Sequence, residues 1–441
     1  MVPIIQLQDL SDCEKEIVFE LAADEVNREF ASVYRTLAEQ VELPGFRRGK
    51  VPVSVLRQRF RRDVQDQVSR RLLARLIEEA VRRFQIRPAS EPEVIEASVS
   101  EGAPLKMKIR MEVFPSVEVK PYKGLRATKK IVAVTDKDID AVLHRLQESH
   151  AVLVPTDRTE AQAGDVVTVE ATAEVLSNDS GETSVLYRDR EQELELNPQK
   201  LLPDFYNNLI GLRTGESRSF VLSYPADSFP PEFAGRTIRH AVRLLEIRRK
   251  DVPPLDDEFA RSVDDTVSTL DELREKIRRQ LTDRREKEAQ EALHQEVLGQ
   301  LLDQNRFSLP PTVLQVRTQR KAEQMVRILL ERGADVEAVE AKTSALVETS
   351  RELAERELRA ALILEKIADL EGITVSEAEV DAEIARRAAR FHYSPADLKR
   401  RLTKEGLLDS IRDELRNRKA LETVVAHAQV TTEIVEAAER T

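Results

Sequence analysis

Cysteine and tryptophan are nearly missing: the 441-residue chain has one Cys, Cys13, and no Trp. A lone cysteine excludes an intrachain disulfide framework and argues against a thiolate metal site. Cys13 is therefore expected as a buried, inert thiol. Aromatics make up only 4% and charged residues 34%, a helix-rich balance with solvated faces and thin or extended cores. No window reaches the ~18 uninterrupted apolar residues of a membrane span. The start, MVPIIQLQDLSDCEKE, lacks the basic and apolar regions of a signal peptide. No membrane partner is expected, and a cytoplasmic location is. A Gly-rich Walker loop is also missing, so no nucleotide-driven cycle, cofactor or metal is expected. The net charge of −11 argues against a general nucleic-acid binder, and no DNA partner is expected.

Against this background, residues 44–52 stand out. They read Pro-Gly-Phe-Arg-Arg-Gly-Lys-Val-Pro. Gly45 and Gly49 permit backbone angles that other residues resist. Between and beside them lie Phe46, Arg47, Arg48 and Lys50. An aromatic ring among cations suits docking on an anionic, partly apolar surface better than burial. From Arg47 to Arg87 there are 13 basic residues against Asp63, Asp66, Glu78 and Glu79. A basic stretch in an acidic chain points to an anionic partner at one end, or to a solvated helix face rich in arginine.

The length allows about three domains of ~150 residues. Residues 15–22 read as a strand with Ile17, Phe19 and Leu21 on one face. Asp24 is expected to cap a helix to about Glu42, carrying Val26, Phe30, Val33, Leu37 and Val41. After the 44–52 loop, one long helical region is expected over 53–84, and a strand over 105–114. Thr135 and Asp138 stand at capping-box spacing in a connector, ahead of Ile139, Val142, Leu143 and Leu146. Residues 166–176, 218–224 and 238–247 read as strands, with a short helix near 203–210. Beyond Asp251 helices dominate, near 269–304, 312–332 and 337–370. Thr269 with Glu272 and Ser376 with Glu379 are capping-box pairs, and Ser394-Pro395 with Asp397 marks another helix start. Pro310-Pro311 and Glu371-Gly372 separate helices. Such long, charge-rich helices suit projecting arms better than an all-round core.

Residues 45–52 resemble the ribosome-binding signature of the trigger factor family, bacterial chaperones at the ribosomal tunnel exit. Pro121-Tyr122-Lys123-Gly124-Leu125, Leu202-Pro203-Asp204-Phe205, Ile210-Gly211-Leu212, Gly215-Glu216 and Pro254 through Ala260 are similar to further family stretches, in order along the chain. The resemblance implies a multidomain α+β protein. Residues 1–115 would form an N-terminal α+β ribosome-binding domain, and 116–160 a connector packing with the C-terminal body. Residues 161–250 would form an FKBP-type antiparallel β domain, and 251–441 a helical chaperone domain with protruding arms. The implied ribosome-binding residues are Gly45, Phe46, Arg47, Arg48, Gly49, Lys50 and Pro52. The implied partners are the large ribosomal subunit, protein and rRNA, and unfolded nascent polypeptides, with a homodimer when free.

The family's FKBP-type domain implies peptidyl-prolyl cis-trans isomerase activity. Such a pocket desolvates the X-Pro amide between apolar and aromatic side chains and needs no nucleophile. The implied pocket residues are Phe205, Leu202, Leu201, Phe229 and His240, with Leu201 and Leu202 as floor and Phe229 and Phe233 flanking. The family's Asp-Phe-Thr-Gly strand reads Glu170-Ala171-Thr172-Ala173 here, and His240 stands where the family commonly has Phe. Taken alone, His240 reads as a strand histidine, since nothing near it in sequence orients an acid or base. The expectation is a retained head with weak or no isomerase activity. Two other readings differ in what they require: a primary prolyl isomerase needs an intact aromatic pocket, and an RNA-binding helical protein needs stacking aromatics or basic repeats along the chain.

Overall fold

The computed structural model describes residues 4–44, 46, 49–176, 183–225, 228, 233–334 and 336–436. The first elements are β1 (Ile4–Ser11), β2 (Glu14–Leu21), α1 (Ala23–Gln40), α2 (Val53–Arg59), α3 (Arg61–Phe84), β3 (Glu93–Ser98) and β4 (Leu105–Glu112). Then come β5 (Arg126–Val132), α4 (Asp136–Ser149), β6 (Val152–Pro155), β7 (Asp165–Leu176), β8 (Thr183–Glu195), α5 (Pro203–Leu209), β9 (Ser217–Ser223) and β10 (Thr237–Asp251). The remainder is α6 (Asp257–Val263), α7 (Leu270–Gln304), α8 (Pro311–Glu331), α9 (Val336–Ala341), α10 (Thr343–Leu370), α11 (Glu377–Arg390), α12 (Pro395–Lys404), α13 (Leu408–Ala426) and β11 (Gln429–Val435). The fold is multidomain α+β. Two compact units divide it: Met1–Ala127 with His294–Ile328 and Glu340–Val430, and Thr128–Leu293 with Leu329–Val339 and Thr431–Thr441.

In the first unit, period-two alternation builds an antiparallel sheet of order β1-β2-β4-β3. The register pairs Ile17 with Ile109, Phe19 with Met107 and Leu21 with Leu105, so these apolar side chains share one face. All are buried, each worth about 1.5–3 kcal/mol. Val26, Phe30, Val33 and Tyr34 of α1 and Val64, Val68, Leu72 and Leu76 of α3 complete this core. Elsewhere on β2 and β4, charges pair across the strands: Glu16 with Lys108 at 2.9 Å, and Glu14 with Arg110 and Glu20 with Lys106, both at 3.4 Å.

Several expectations change here. Asp24 does not cap α1: Ala22 is the N-cap without a side-chain bond, and Asp24 lies in the first turn, where the helix dipole favours an acid. The region 53–84 is two helices, because Phe60 leaves helical geometry (φ −116°, ψ 21°). Strands β1 and β3 lie at the sheet edges and had no sequence signal strong enough to name them. Every residue of β3 is exposed, so no buried face imposes alternation on it.

Later in the same unit, α10 packs along α13. Pro311 opens α8 after the expected break. Gly372 (φ +64°) ends α10 with the Ile373 amide donating to the Ala368 carbonyl at 2.8 Å, a wrapped C-terminus that favours glycine. The Ser376–Glu379 capping box forms in full. Ser394 is the N-cap of α12 but makes no side-chain cap bond. The helix expected over 337–370 is interrupted between Ala341 and Thr343. Among its described residues α12 buries none, and α8 buries only Thr318.

In the second unit the Thr135–Asp138 capping box starts α4, whose Ile139 and Leu143 pack with Phe259, Leu273 and Ile277. At the start of α7 only half a box forms. Thr269 accepts from the Glu272 amide at 3.3 Å, but the Glu272 carboxylate takes the Ser268 amide instead. The β domain orders β6-β10-β7-β8, with β9 also on β10. Strand β8 was not named from sequence; its run of Arg, Asp, Glu and Gln hides the apolar period.

Buried Glu383 gathers Arg386 and Arg387 at 2.7 and 2.8 Å, with Arg418 at 3.5 Å. Arg386, opposed by burial and reinforced by Arg387, holds its carboxyl down at about 2. Its contribution is full above about pH 4.5 and is lost as pH falls toward 2. Glu383→Ala should cost about 1–3 kcal/mol in urea unfolding at pH 7, the freed arginines recovering water. The difference from wild type should shrink on acidification.

Candidate functional site

The 44–52 loop is pinned at both ends. Val41 and Leu43 pack against the first unit's core, and Val51 is buried at 5% exposure in it. Between these anchors Phe46 is 40% exposed, its amide donating to the Leu43 carbonyl at 3.0 Å. Gly49 has φ +79°, a left-handed turn that strains any side-chain-bearing residue. Lys50 and Pro52 are exposed, and Pro52 is the N-cap of α2. Gly45, Arg47 and Arg48 lie outside the described residues.

The basic stretch beyond the loop is partly neutralised within the fold. Arg57 pairs with Glu101, Arg71 with Glu29, Arg75 with Glu25, Arg82 with Glu79, and Arg87 with Glu365. Arg59, Arg61, Arg62 and Arg70 are exposed and make no ion pair among the described residues. Beside them Asn27, Tyr34, Ser54, Arg57, Gln58 and Arg61 line an open cleft. Tyr34 is buried beneath Arg57, whose guanidinium lies 5.7 Å from the ring centre.

A second constellation sits in the β domain. Inward positions of β10 are Ile238, His240, Val242 and Leu244. His240 faces Phe220 on β9 and Ala173 on β7. Phe205 of α5 stands edge-on to His240 with centroids 5.3 Å apart, and Phe220 stacks on it at 5.6 Å. Tyr224 and Phe233 complete the ring of aromatics and stack on each other at 5.1 Å. The four rings are half-buried. His240 lies beneath them at 1% exposure. Its Nε2 is 2.9 Å from the Tyr224 hydroxyl, and its Nδ1 has no partner among the described residues. Burial lowers the His240 pKa to about 4 and raises that of Tyr224 to about 12.

Comparison with known proteins now decides the family. Residues 4–146 match the family described as bacterial trigger factor protein, and residues 269–426 match its C-terminus. The trigger factor of Geobacillus thermodenitrificans is 31% identical over 435 residues, 97% of this chain and 99% of the relative. That of Moorella thermoacetica is 32% identical, covering 93% and 91%, and that of Koribacter versatilis 30%, covering 94% of each. The chain belongs to the trigger factor family. A solved structure titled "Promiscuous Substrate Recognition in Folding and Assembly Activities of the Trigger Factor Chaperone" shares the fold, with a TM-score of 0.53 at 21% identity over 96% of this chain and 99% of that one.

For a trigger factor relative, the pocket residues expected from sequence are placed unevenly. Phe205 and His240 meet, and Leu201 packs against the same domain core. Leu202 is not a floor residue: it is the N-cap of α5 and 43% exposed. The residue beneath the four rings is His240. Phe229 lies outside the described residues. Phe220 and Tyr224 were missed, although Phe220, Leu222 and Tyr224 alternate on one face and signal an inward row.

The histidine makes a pH prediction. Its folded pKa, about 4, lies below the ordinary imidazole value of 6.5, so between these values the unfolded chain binds a proton that the folded one refuses. The contribution is full above about pH 6.5 and is lost toward pH 4, with a slope of up to about 1.4 kcal/mol per pH unit. Urea unfolding from pH 7.5 to 4.5 should show this slope in wild type relative to His240→Phe; equal slopes would contradict it.

Proposed function

We propose that this chain is an ATP-independent, ribosome-associated chaperone that docks near the nascent-chain exit of the large subunit and holds newly made polypeptides open for folding. The observation that carries the reading is the pinned loop with exposed Phe46 and Lys50, followed in sequence by exposed Arg59, Arg61 and Arg62, which make no ion pair among the described residues. Gly45, Phe46, Arg47, Arg48, Gly49, Lys50 and Pro52 would meet acidic ribosomal protein surface and rRNA phosphate, the arginines through forked, charge-assisted hydrogen bonds. The protein would work in the cytoplasm, partly ribosome-bound, and dimerise when free. Residues 1–115 dock, 116–160 connect, 161–250 form the FKBP-type head, and 251–441 hold clients. Exposed Val316, Val347, Leu353, Phe391 and Tyr393, set among charges, would bind unfolded segments weakly and promiscuously.

The head would keep prolyl isomerase activity at a low level. A primary isomerase is the second reading, favoured by the four rings around His240.

Alanine at Phe46, Arg47 and Arg48 together should remove at least about nine-tenths of ribosome co-sedimentation at low salt while leaving thermal unfolding unchanged. Wild-type binding should itself weaken as salt rises. Retention of the triple variant on ribosomes would defeat the docking assignment. A tetrapeptide X-Pro isomerisation assay tests the head, with family-like turnover contradicting the weak-activity reading.

A further inference from the structure

The imidazole floor of the aromatic cluster has a consequence for ligand choice. His240 Nε2 and the Tyr224 hydroxyl share one hydrogen bond of 2.9 Å, and one of them must supply its proton. If Tyr224 donates, the neutral ring carries its proton on Nδ1, leaving a buried N–H without a hydrogen-bond acceptor. If His240 donates from Nε2, the orphan is a lone pair, and an unsatisfied acceptor is tolerated better than an unsatisfied N–H. The second arrangement also leaves the Tyr224 hydroxyl hydrogen uncommitted on a half-buried ring.

We infer that His240 donates Nε2–H to Tyr224 and so positions the Tyr224 hydroxyl to donate to a backbone carbonyl of a bound X-Pro segment, with the pyrrolidine ring against Phe205, Phe220 and Phe233. The ligand class follows from the donor balance. Among the described residues, Phe205, Phe220 and Phe233 give a peptide N–H lying against them no acceptor, whereas the Tyr224 hydroxyl has a proton to give to a carbonyl. An X-Pro amide has a carbonyl to accept and no N–H to strand. His240 is the positioning residue and Tyr224 the specificity residue. Tyr224 keeps its proton across neutral pH, since burial holds its pKa at about 12. The inference rests on the proposal that this domain handles X-Pro segments, and its tests separate binding from turnover.

Long-range ¹H–¹⁵N spectra of the ¹⁵N-histidine-labelled full chain, with His240 assigned by its loss in His240→Phe, report the tautomer directly. The expected result is Nε2–H. A proton on Nδ1 would overturn the inference. Fluorescence anisotropy of the full chain with a labelled X-Pro tetrapeptide should show tighter binding than with the Pro→Ala peptide. At a temperature where the variant is fully folded, since stranding the imidazole N–H should lower its melting temperature, Tyr224→Phe should weaken X-Pro binding about 10-fold. His240→Phe should do the same, and the double variant should lose no more than either single one. Undiminished binding by Tyr224→Phe, or equal or absent binding of the two peptides by wild type, would overturn the site. Binding without isomerisation would support the site and remove only the isomerase reading.

Discussion

The burial of Val51 is the constraint on which the 44–52 loop depends. Phe46 lies only five positions before it, yet one side chain is 5% exposed and the other 40%. A loop of arginine, lysine and glycine has no intrinsic reason to hold one shape, because its charged groups gain nothing from packing and its glycines widen the unfolded ensemble. Val51 on one side and Val41 and Leu43 on the other fix the ends in the core formed by Ile17, Phe19, Met107 and Ile109. Pro52 then sets the entry into α2. The sheet alternation thus does more than stabilise the domain. It holds the chain on both sides of Phe46 and leaves that ring outward, which would lower the ordering cost of the proposed docking.

The β domain shows the opposite use of an inward position. On β10 the alternation that buries Ile238, Val242 and Leu244 also buries His240, where an apolar residue would cost nothing. The imidazole stays neutral and is held by Tyr224 and surrounded by rings. Ala173, buried on β7, puts little bulk opposite it, and Ala171 does the same opposite Val242. The small residues that looked in sequence like a loss of aromatic lining are compensated by Phe220, Tyr224 and Phe233, drawn from β9 and the segment after it.

What could be read in advance follows from the range of the interactions. The loop was legible because its prolines, glycines and cations are contiguous. The cores of β2 and β4 and the boxes at Thr135 and Ser376 were legible because period and capping are local. Asp24 misled because a good capping residue stood two positions inside a helix that begins without a side-chain cap. Phe60 gave no warning, being neither glycine nor proline. The surroundings of His240 were hidden for a different reason: Phe205 is brought to it by α5, and Phe220 and Tyr224 by the β9–β10 pairing. Such neighbours are set by register, which no local pattern states.

The same non-local logic sharpens the electrostatics. By sequence, 13 basic residues face four acids between Arg47 and Arg87. Among the described residues, folding pairs five of the arginines with glutamates, four of those glutamates from outside α2 and α3. Those glutamates cancel much of the field that the raw count suggests. The cations left over concentrate at the α2–α3 junction, at Arg59, Arg61 and Arg62, close in sequence to the pinned loop. A chain of net charge −11 is repelled by an anionic surface on average, so approach is favourable only where unpaired cations outnumber acids locally. The internal ion pairs therefore narrow the attractive region rather than waste charge. Among the described residues they leave the α2–α3 junction, with Lys50 before it, as the stretch of this domain where the proposed docking on an anionic partner would be electrostatically downhill.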